Sequence, residues 1–193
     1  MEFKAKRKDL VSVWIGKDET EAVRIAVENL KVDLQKVLET ETLLSKVSDA
    51  KIVVGTIEIE RYFDLHKLQD ETGEYRKEAY ILTVTDGRLV IAGTDRRGTI
   101  YGIYEFCEWM GVSPWYFWAD VPVRKRECIH LPEGYEKIDY PSVEYRGIFI
   151  NDEEELEHWA KLHMDENTIG THTYEKIFEL LLRLKGNYIW PAM

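Results

Sequence analysis

Cysteine, proline and long apolar runs are scarce in this sequence, and the shortages exclude several classes of protein. Only two cysteines occur among 193 residues, Cys107 and Cys128, and their positions fit neither a disulfide framework nor a metal-binding pattern. No stretch stays apolar for the about 18 residues of a membrane span. The basic start of the chain has no apolar segment behind it, so no secretory signal is predicted. Localisation is left unknown: cytoplasmic, or secreted with the signal removed from this sequence.

Positive charge is scarce as well. There are 26 lysines and arginines against 36 aspartates and glutamates, which gives a net charge of −10. A surface that binds nucleic acid needs an excess of basic residues, so we expect no nucleic-acid partner and no membrane partner. The one dense basic run, residues 123–127, is interpreted as solvated. His158 and His163 are five residues apart, which splays them around a helix, so we predict no metal site and no cofactor.

Apolar residues make up 45 % of the chain, which is enough for a substantial core. Val11, Val13 and Ile15 stand at every second position and predict a strand. The amphipathic helix predicted after it carries one apolar stripe, formed by Val23, Val27, Leu30, Leu34 and Val37. The Asp86-Gly87 dipeptide predicts a tight hairpin turn between two β-rich arms. Further elements are predicted at residues 51–59 (strand), 96–111 (helix) and 127–132 (strand), with an exposed loop at 60–78. Gly111 is predicted to end the helix.

Two glycines in the helix after the hairpin, Gly98 and Gly102, are four residues apart and therefore lie on one helical face. Their missing side chains are predicted to let the helix backbone approach a sheet closely. A phosphate loop is the rival interpretation, since Gly93 and Gly98 have the spacing of its two glycines. Thr99 and Ile100 stand where that loop needs a lysine and then a serine or threonine. Nucleotide binding is therefore rejected.

An aromatic, proline-broken segment follows this helix, with the residues WYFW at 115–118. We interpret it as filling an interdomain seam, with a sugar-binding pocket as the alternative. Residues 133–141 are interpreted as a linker. The elements together predict an N-terminal accessory domain at residues 1–140, of the α+β class, with a mixed sheet and its helices on one face.

Residues 141–193 predict a different architecture. Gly147–Ile150 is a short apolar run, typical of a parallel strand buried on both faces. A helix is predicted at 171–186, with Thr173 as its N-cap and Gly186 as its stop, and a second strand at 187–190. Strand, helix and strand in this order predict a parallel pair, which we interpret as the first β-α-β of a truncated (β/α) barrel of the TIM type.

A polar cluster, Asn151, Asp152 and Glu153, directly follows the first of these strands. Chemistry in barrels and open α/β sheets takes place at the carboxyl ends of the strands. Glycosidases need two carboxyl groups across the scissile bond, and this cluster supplies one wall of such a site. Helix capping and loop chemistry are the alternative for the same residues. We find no second carboxylate in a matching sequence context.

Three stretches together resemble glycoside hydrolase family 115, the xylan α-1,2-glucuronidases. They are GTDRRGTIYGIYEFCEWMGVSPWYFWADVPV, YRGIFINDEE and IGTHTYEKIFELLLRLKGNYIWPAM, and the similarity covers most of the chain from about residue 80 onward. The resemblance implies a non-catalytic N-terminal domain and a catalytic (β/α) barrel. It also implies inverting removal of glucuronic acid, or its 4-O-methyl form, from glucuronoxylan. A longer protein that binds acidic xylo-oligosaccharides and forms homodimers is implied as well.

By the same resemblance, the predicted substrate-binding residues are Asn151, Asp152, Glu153 and Trp190, with Asp152 favoured over Glu153 as the carboxylate. The principal acid and base are expected beyond Met193, so the catalytic residues are unknown and this chain alone is predicted to be inactive. Two alternatives stay open. One is a non-catalytic carbohydrate-binding or assembly module, and the other is a different barrel glycosidase with the same accessory domain.

Overall fold

The computed structural model describes residues 1–46, 50–57, 64–150 and 153–191. The chain divides into two units, residues 1–141 and 142–193. The elements of the first unit are, in chain order, β1 Phe3–Lys6, β2 Leu10–Ile15, α1 Glu21–Leu38, β3 Glu41–Leu44, β4 Ile52–Thr56, a 3-10 helix Leu65–Leu68, β5 Tyr80–Thr85, β6 Arg88–Gly93, α2 Arg96–Met110, β7 Cys128–Leu131 and β8 Glu136–Asp139.

A six-stranded mixed sheet forms the centre of the first unit, in the order β3-β2-β4-β6-β5-β8. The four strands from β3 to β6 in this order are parallel, whereas β5 pairs antiparallel with both β6 and β8. A separate two-stranded ribbon pairs β1 with β7, with Phe3 opposite Leu131. The first unit is therefore a small mixed α+β domain.

The predicted apolar stripe of α1 is confirmed. Val23, Val27, Leu30, Leu34 and Val37 are all 0 % exposed. These residues recur in steps of three and four, so they form one face of the helix. α1 packs against α2, and α2 in turn packs against β4, β5 and β6.

The two faces of the sheet are covered differently. On one face, Gly102 of α2 lies against Tyr80 and Ile91. The strand residues that alternate with Tyr80 and Ile91 form a separate buried cluster with Leu68 of the 3-10 helix. Its other members are Val53, Ala79, Ile81, Val90 and Ala92. Successive side chains of a strand point to opposite faces, so the short segment around Leu68 covers the face that lies away from α2.

The close approach of α2 to the sheet is confirmed at both glycines. A Cβ added at Gly98 would lie 2.1 Å from the Ala79 carbonyl oxygen, and one at Gly102 would lie 3.0 Å from the Ile91 side chain. The hairpin prediction is also confirmed, because Asp86 and Gly87 have φ values of 54° and 72°. Gly111 ends α2 with a φ of 108°, as the sequence indicated.

Three edge elements were missed, and one interpretation was wrong. β1 and β3 were not predicted, and the proposed linker at 133–141 contains β8, which pairs with β5 along Glu136–Asp139. These strands have only four residues each and carry many charges, so their pairing comes from the neighbouring strand rather than from a local pattern. The loop at 60–78 is also more structured than predicted, since Leu68 is fully buried.

The basic residues of the run at 123–127 are exposed, as predicted, and the run also contacts the end of α1. The Arg126 amide donates to the Val37 carbonyl at 2.8 Å, and Lys125 forms an ion pair with Glu39. Arg7 pairs with Glu39 at 2.5 Å and with Glu127 at 2.7 Å. Cations near the carboxyl end of a helix interact favourably with its unpaired carbonyl groups.

The second unit contains β9 Gly147–Phe149, α3 Glu153–His163, α4 Thr171–Arg183 and β10 Tyr188–Trp190. β9 and β10 are parallel, as predicted. The N-cap prediction was wrong: α4 follows Gly170, and Thr173 lies in its first turn. The stop was also misplaced, since α4 ends three residues before Gly186.

The expectation that β9 is buried on both faces was wrong. Ile148 is 38 % exposed and Phe149 is 57 % exposed. Within the described part of the chain, β9 has β10 as its one strand neighbour. A strand is buried on both faces only where other elements cover those faces, so an apolar run alone does not establish burial.

Candidate functional site

The parallel register of β9 and β10 defines the candidate site. Gly147 lies opposite Tyr188, and Phe149 lies opposite Trp190. A Cβ at Gly147 would lie 1.9 Å from the Tyr188 carbonyl oxygen, so only glycine permits this close pairing. The strands end level with each other, and residues that follow either strand emerge at one edge. We call the carboxyl ends of these two strands, residues 149–150 and 190, the β9–β10 edge.

The amino ends of the two strands are fastened by side chains. The Arg146 guanidinium donates to the carbonyl groups of Val143, Glu144 and Lys185 at 2.7–3.1 Å. Asn187 accepts from the Arg146 amide at 2.9 Å and donates to the Glu144 carbonyl at 2.7 Å. These bonds join the start of β9 to the start of β10, so they help to fix the register with which the two strands reach the β9–β10 edge.

Two aromatic rings stand at the β9–β10 edge. The Phe149 and Trp190 rings are 5.4 Å apart between centroids, with an angle of 65° between their planes. They are 57 % and 56 % exposed. The Ile150 amide donates to the Trp190 carbonyl at 3.0 Å, which extends the ladder one residue beyond the strand. Exposed ring faces of this kind can stack on apolar faces of a ligand.

The structure describes some of the predicted site residues and not others. Trp190 lies at the β9–β10 edge, beside Phe149, which the sequence reasoning did not single out. Asn151 and Asp152 lie outside the described residues. Glu153 begins α3, and only its backbone is described. Phe149 could have been found from the sequence, because it is the last strand residue before the polar cluster.

Glu166 organises the connection that leads from β9 to β10, and the sequence reasoning missed it. Its carboxylate accepts bonds from the amides of Gly170, His172 and Thr173 at 2.8–3.2 Å and from the Thr173 hydroxyl at 2.6 Å. The Thr173 hydroxyl and these amides hold the pKa of Glu166 below its usual range. The free amide groups at the start of α4 are thereby satisfied within the chain.

A second acidic cluster lies in the first unit. The Tyr80 hydroxyl donates towards Glu105 at 2.8 Å and Asp139 at 3.2 Å, and Lys137 bonds to Glu105. Burial and the neighbouring Glu105 raise the pKa of Tyr80. Glu105 is only 7 % exposed, and its carboxylate is engaged by Tyr80 and Lys137. The cluster fastens β8 to α2.

The rejected phosphate-loop motif has a structural role. Asp95 precedes α2, and its carboxylate accepts from the Gly98 amide at 2.9 Å and from the Glu78 amide at 2.8 Å. The start of this helix therefore already carries an anion from the chain itself. A Cβ at Gly93 would lie 2.0 Å from the Thr99 nitrogen, so this glycine serves close packing between strand and helix.

Two histidines of the second unit take part in local contacts. Within the described ranges, no three side chains of His, Cys, Asp or Glu come together as a metal-binding group. His163 stacks on Trp159 with 4.8 Å between ring centroids, and His172 lies 3.4 Å from Glu166. Of the helices that the structure describes, none has the length and apolar character needed to cross a membrane.

Comparison with known proteins connects both units to one class. Residues 1–106 match the family model for the glycosyl hydrolase family 67 N-terminus, and residues 138–193 match the model for glycosyl hydrolase family 115. A solved family GH115 4-O-methyl-α-glucuronidase, BtGH115A, with specificity for decorated arabinogalactans, is 40 % identical, with a TM-score of 0.90. The match covers 99 % of this chain and 26 % of that protein.

More distant structures share the fold alone. A β-hexosaminidase from Streptomyces plicatus is 13 % identical with a TM-score of 0.55, over 97 % of this chain and 30 % of its own. A β-N-acetylhexosaminidase from Bacteroides fragilis is 16 % identical with a TM-score of 0.50, over 98 % of this chain and 29 % of its own.

The family 115 matches place the chain in a family of glycoside hydrolases. It belongs to glycoside hydrolase family 115 and corresponds to the N-terminal portion of proteins of that family. The chain spans about a quarter of the length of its family 115 relative.

Proposed function

We propose that this chain is the front part of an inverting α-glucuronidase, which removes glucuronic acid or its 4-O-methyl form from an acidic plant polysaccharide. The observation that carries the proposal is the parallel register of β9 and β10, which brings the ends of both strands to one edge. The 40 % identity to a 4-O-methyl-α-glucuronidase supports the same reaction. Residues 1–140 then form the accessory domain, and residues 141–193 begin a (β/α) barrel.

Within this proposal, the β9–β10 edge is one wall of the substrate site. Asn151, Asp152 and Glu153 follow β9 directly and supply polar contacts to the sugar. Trp190 offers an exposed ring at the end of β10. An inverting glycosidase needs an acid and a base about 6.5–9.5 Å apart, with a water molecule between the base and the sugar. We assign that pair to later strands beyond Met193, so this chain alone is inactive.

The polysaccharide is glucuronoxylan in our proposal, with acidic xylo-oligosaccharides as the ligands of a homodimeric full-length protein. A specific observation favours a second substrate, because the solved family 115 relative has specificity for decorated arabinogalactans. In our proposal, the enzyme acts on a terminal uronic acid in either substrate. They differ in the chain behind it, so the choice between them depends on contacts outside the strand edge.

The test compares the purified 193-residue chain with a longer protein from the same reading frame. Each is incubated with glucuronoxylan oligosaccharides and with glucuronic acid-decorated arabinogalactan, and released uronic acid is quantified by chromatography. We expect release by the longer protein alone, with the β-anomer as the first product by NMR. Release by the 193-residue chain would contradict the proposed incomplete site, and a first product with retained configuration would contradict inversion.

A carbohydrate-binding module without catalysis is the second candidate, and Trp115 favours it. This residue is 45 % exposed within the aromatic segment 115–118. Its neighbour Tyr116 packs within the first unit, where the Lys36 ammonium lies 3.9 Å from the centre of the Tyr116 ring. Calorimetric titration with acidic xylo-oligosaccharides distinguishes the candidates. A binding module gives saturable heat that Trp115→Ala abolishes, whereas a structural segment gives none.

A further inference from the structure

The order of the parallel strands in the first unit reverses at a point where open α/β sheets form a crevice. From β2, the chain passes through α1 to β3 on one side of β2, and it then returns to β4 on the other side. The strand order therefore reverses between β2 and β4. In open α/β sheets, ligands bind outside the carboxyl ends of the strands at such a reversal. In this unit, the crevice lies between the segment after Ile15 and the end of β4 at Thr56.

A side chain of the protein occupies this crevice. The Glu19 carboxylate accepts a short hydrogen bond from the Thr56 amide and a second bond, of 3.1 Å, from the Thr56 hydroxyl. The Thr56 hydroxyl also lies 3.1 Å from that of Thr99, which is fully buried in α2. A backbone amide and a hydroxyl at a strand end are groups with which α/β proteins bind external anions. In this protein, the Glu19 carboxylate is the anion that binds these groups.

The backbone around Glu19 is shaped for this contact. The Gly16 amide donates to the Val54 carbonyl at 3.0 Å, which draws the segment after β2 over the end of β4. A Cβ at Gly16 would lie 3.2 Å from the Glu19 Cγ and 3.4 Å from its Oε1. The absent side chain lets Glu19 fold back over the strand ends.

We propose that Glu19 is a built-in ligand: its carboxylate fills the position that an external carboxylate would take, and it keeps this crevice closed. The first unit thereby retains the architecture of a ligand-binding sheet without an open site at the reversal point. Removal of the Glu19 side chain should uncover a binding site for small carboxylates. The ligand that we expect at the uncovered site is a planar anion with two oxygens. One oxygen would face the Thr56 amide and the other the Thr56 hydroxyl.

The experiment measures chemical rescue in the 193-residue chain. Thermal unfolding is followed for the unchanged chain and for Glu19→Ala, in sodium acetate and in sodium chloride of equal ionic strength. We expect the melting temperature of Glu19→Ala to fall by about 4–12 °C, because charge-assisted bonds to a partly buried amide are lost. Acetate should then raise the melting temperature of Glu19→Ala saturably, and more than that of the unchanged chain. Glu21→Ala, an exposed glutamate two residues away, is the matched control and should show no acetate-specific gain.

A second variant keeps the test decisive if Glu19→Ala does not fold. Glu19→Gln fills the same volume and keeps an oxygen that accepts from the Thr56 amide. We expect it to fold, to melt below the unchanged chain, and to move the Thr56 amide proton upfield in NMR spectra, since a neutral acceptor replaces a charged one. The proposal is overturned by an unchanged Thr56 amide in Glu19→Gln, or by equal acetate effects on a folded Glu19→Ala and the unchanged chain.

Discussion

Replacing Gly98 with alanine should destabilise the first unit, although a helix by itself would favour the change. Alanine in a helix interior is about 0.8–1.0 kcal/mol more favourable than glycine. At this position, however, the new Cβ would lie 2.1 Å from the Ala79 carbonyl oxygen. Attractive contacts between non-bonded heavy atoms lie near about 3.5 Å, so either the helix or the strand must move by roughly 1 Å.

The movement has an energetic cost that can be bounded. The Ala79 carbonyl is held by the Thr94 amide at 3.0 Å, so it cannot withdraw without straining that bond. Overpacking of this kind costs about 1–3 kcal/mol, and more where backbone meets backbone. After the gain in helix propensity is subtracted, we expect a net loss of about 2 kcal/mol for Gly98→Ala. That corresponds to a fall of roughly 4–8 °C in melting temperature for a chain of this size.

Gly102→Ala is the matched control for this prediction. It gains the same helix propensity, but its Cβ would lie 3.0 Å from a methyl group of Ile91, which can rotate away. We expect its free energy of unfolding to change by less than about 1 kcal/mol. Urea denaturation of both variants measures the difference. If Gly98→Ala is as stable as Gly102→Ala or the unchanged chain, the close backbone approach does not constrain this helix.

Two further predictions concern carboxylates with a lowered pKa. Hydrogen bonds from Lys125 and Arg7 lower the pKa of Glu39 from 4.5 to about 2, so the folded state favours the ionised form, and this stabilisation is lost as the pH falls from about 4.5 towards 2. Denaturant titrations should therefore show a stability advantage over Glu39→Gln that is constant above pH 5 and disappears in that window; an advantage that grows in acid would contradict this. Glu166→Ala should leave the first turn of α4 without its acceptor, so amide hydrogen exchange in residues 170–174 should become roughly five times faster. Unchanged exchange there, or an equal increase in the first unit, would argue against a local capping role.

Local signals in the sequence predicted those elements whose conformation is set by a few neighbouring residues. The Asp86-Gly87 turn, the Gly111 end of α2 and the apolar stripe of α1 all follow from backbone preference or periodicity within one segment. The roles of Gly98 and Gly102 were also predictable, because two glycines four residues apart on a helix indicate close packing.

Features that depend on distant residues could not be predicted in the same way. β8 has the sequence EKID, and its strand conformation comes from pairing with β5 more than 50 residues earlier. Glu166 caps a helix from five residues before its first residue, outside the usual N-cap position. At the candidate site, Trp190 could be anticipated from the strand end. Phe149 could be anticipated in the same way, but its contact with the Trp190 ring became apparent only once the register of β9 and β10 was known.

The ribbon of β1 and β7 has a consequence for how the protein is made. Phe3 pairs with Leu131, and β8, which completes the central sheet, ends at Asp139. β1 therefore waits for a partner strand that is synthesised more than a hundred residues later. At about 5–20 residues per second, this interval lasts roughly 6–26 s. During that time β1 is unpaired, and exposed strands of this kind are the surfaces that nascent-chain chaperones protect.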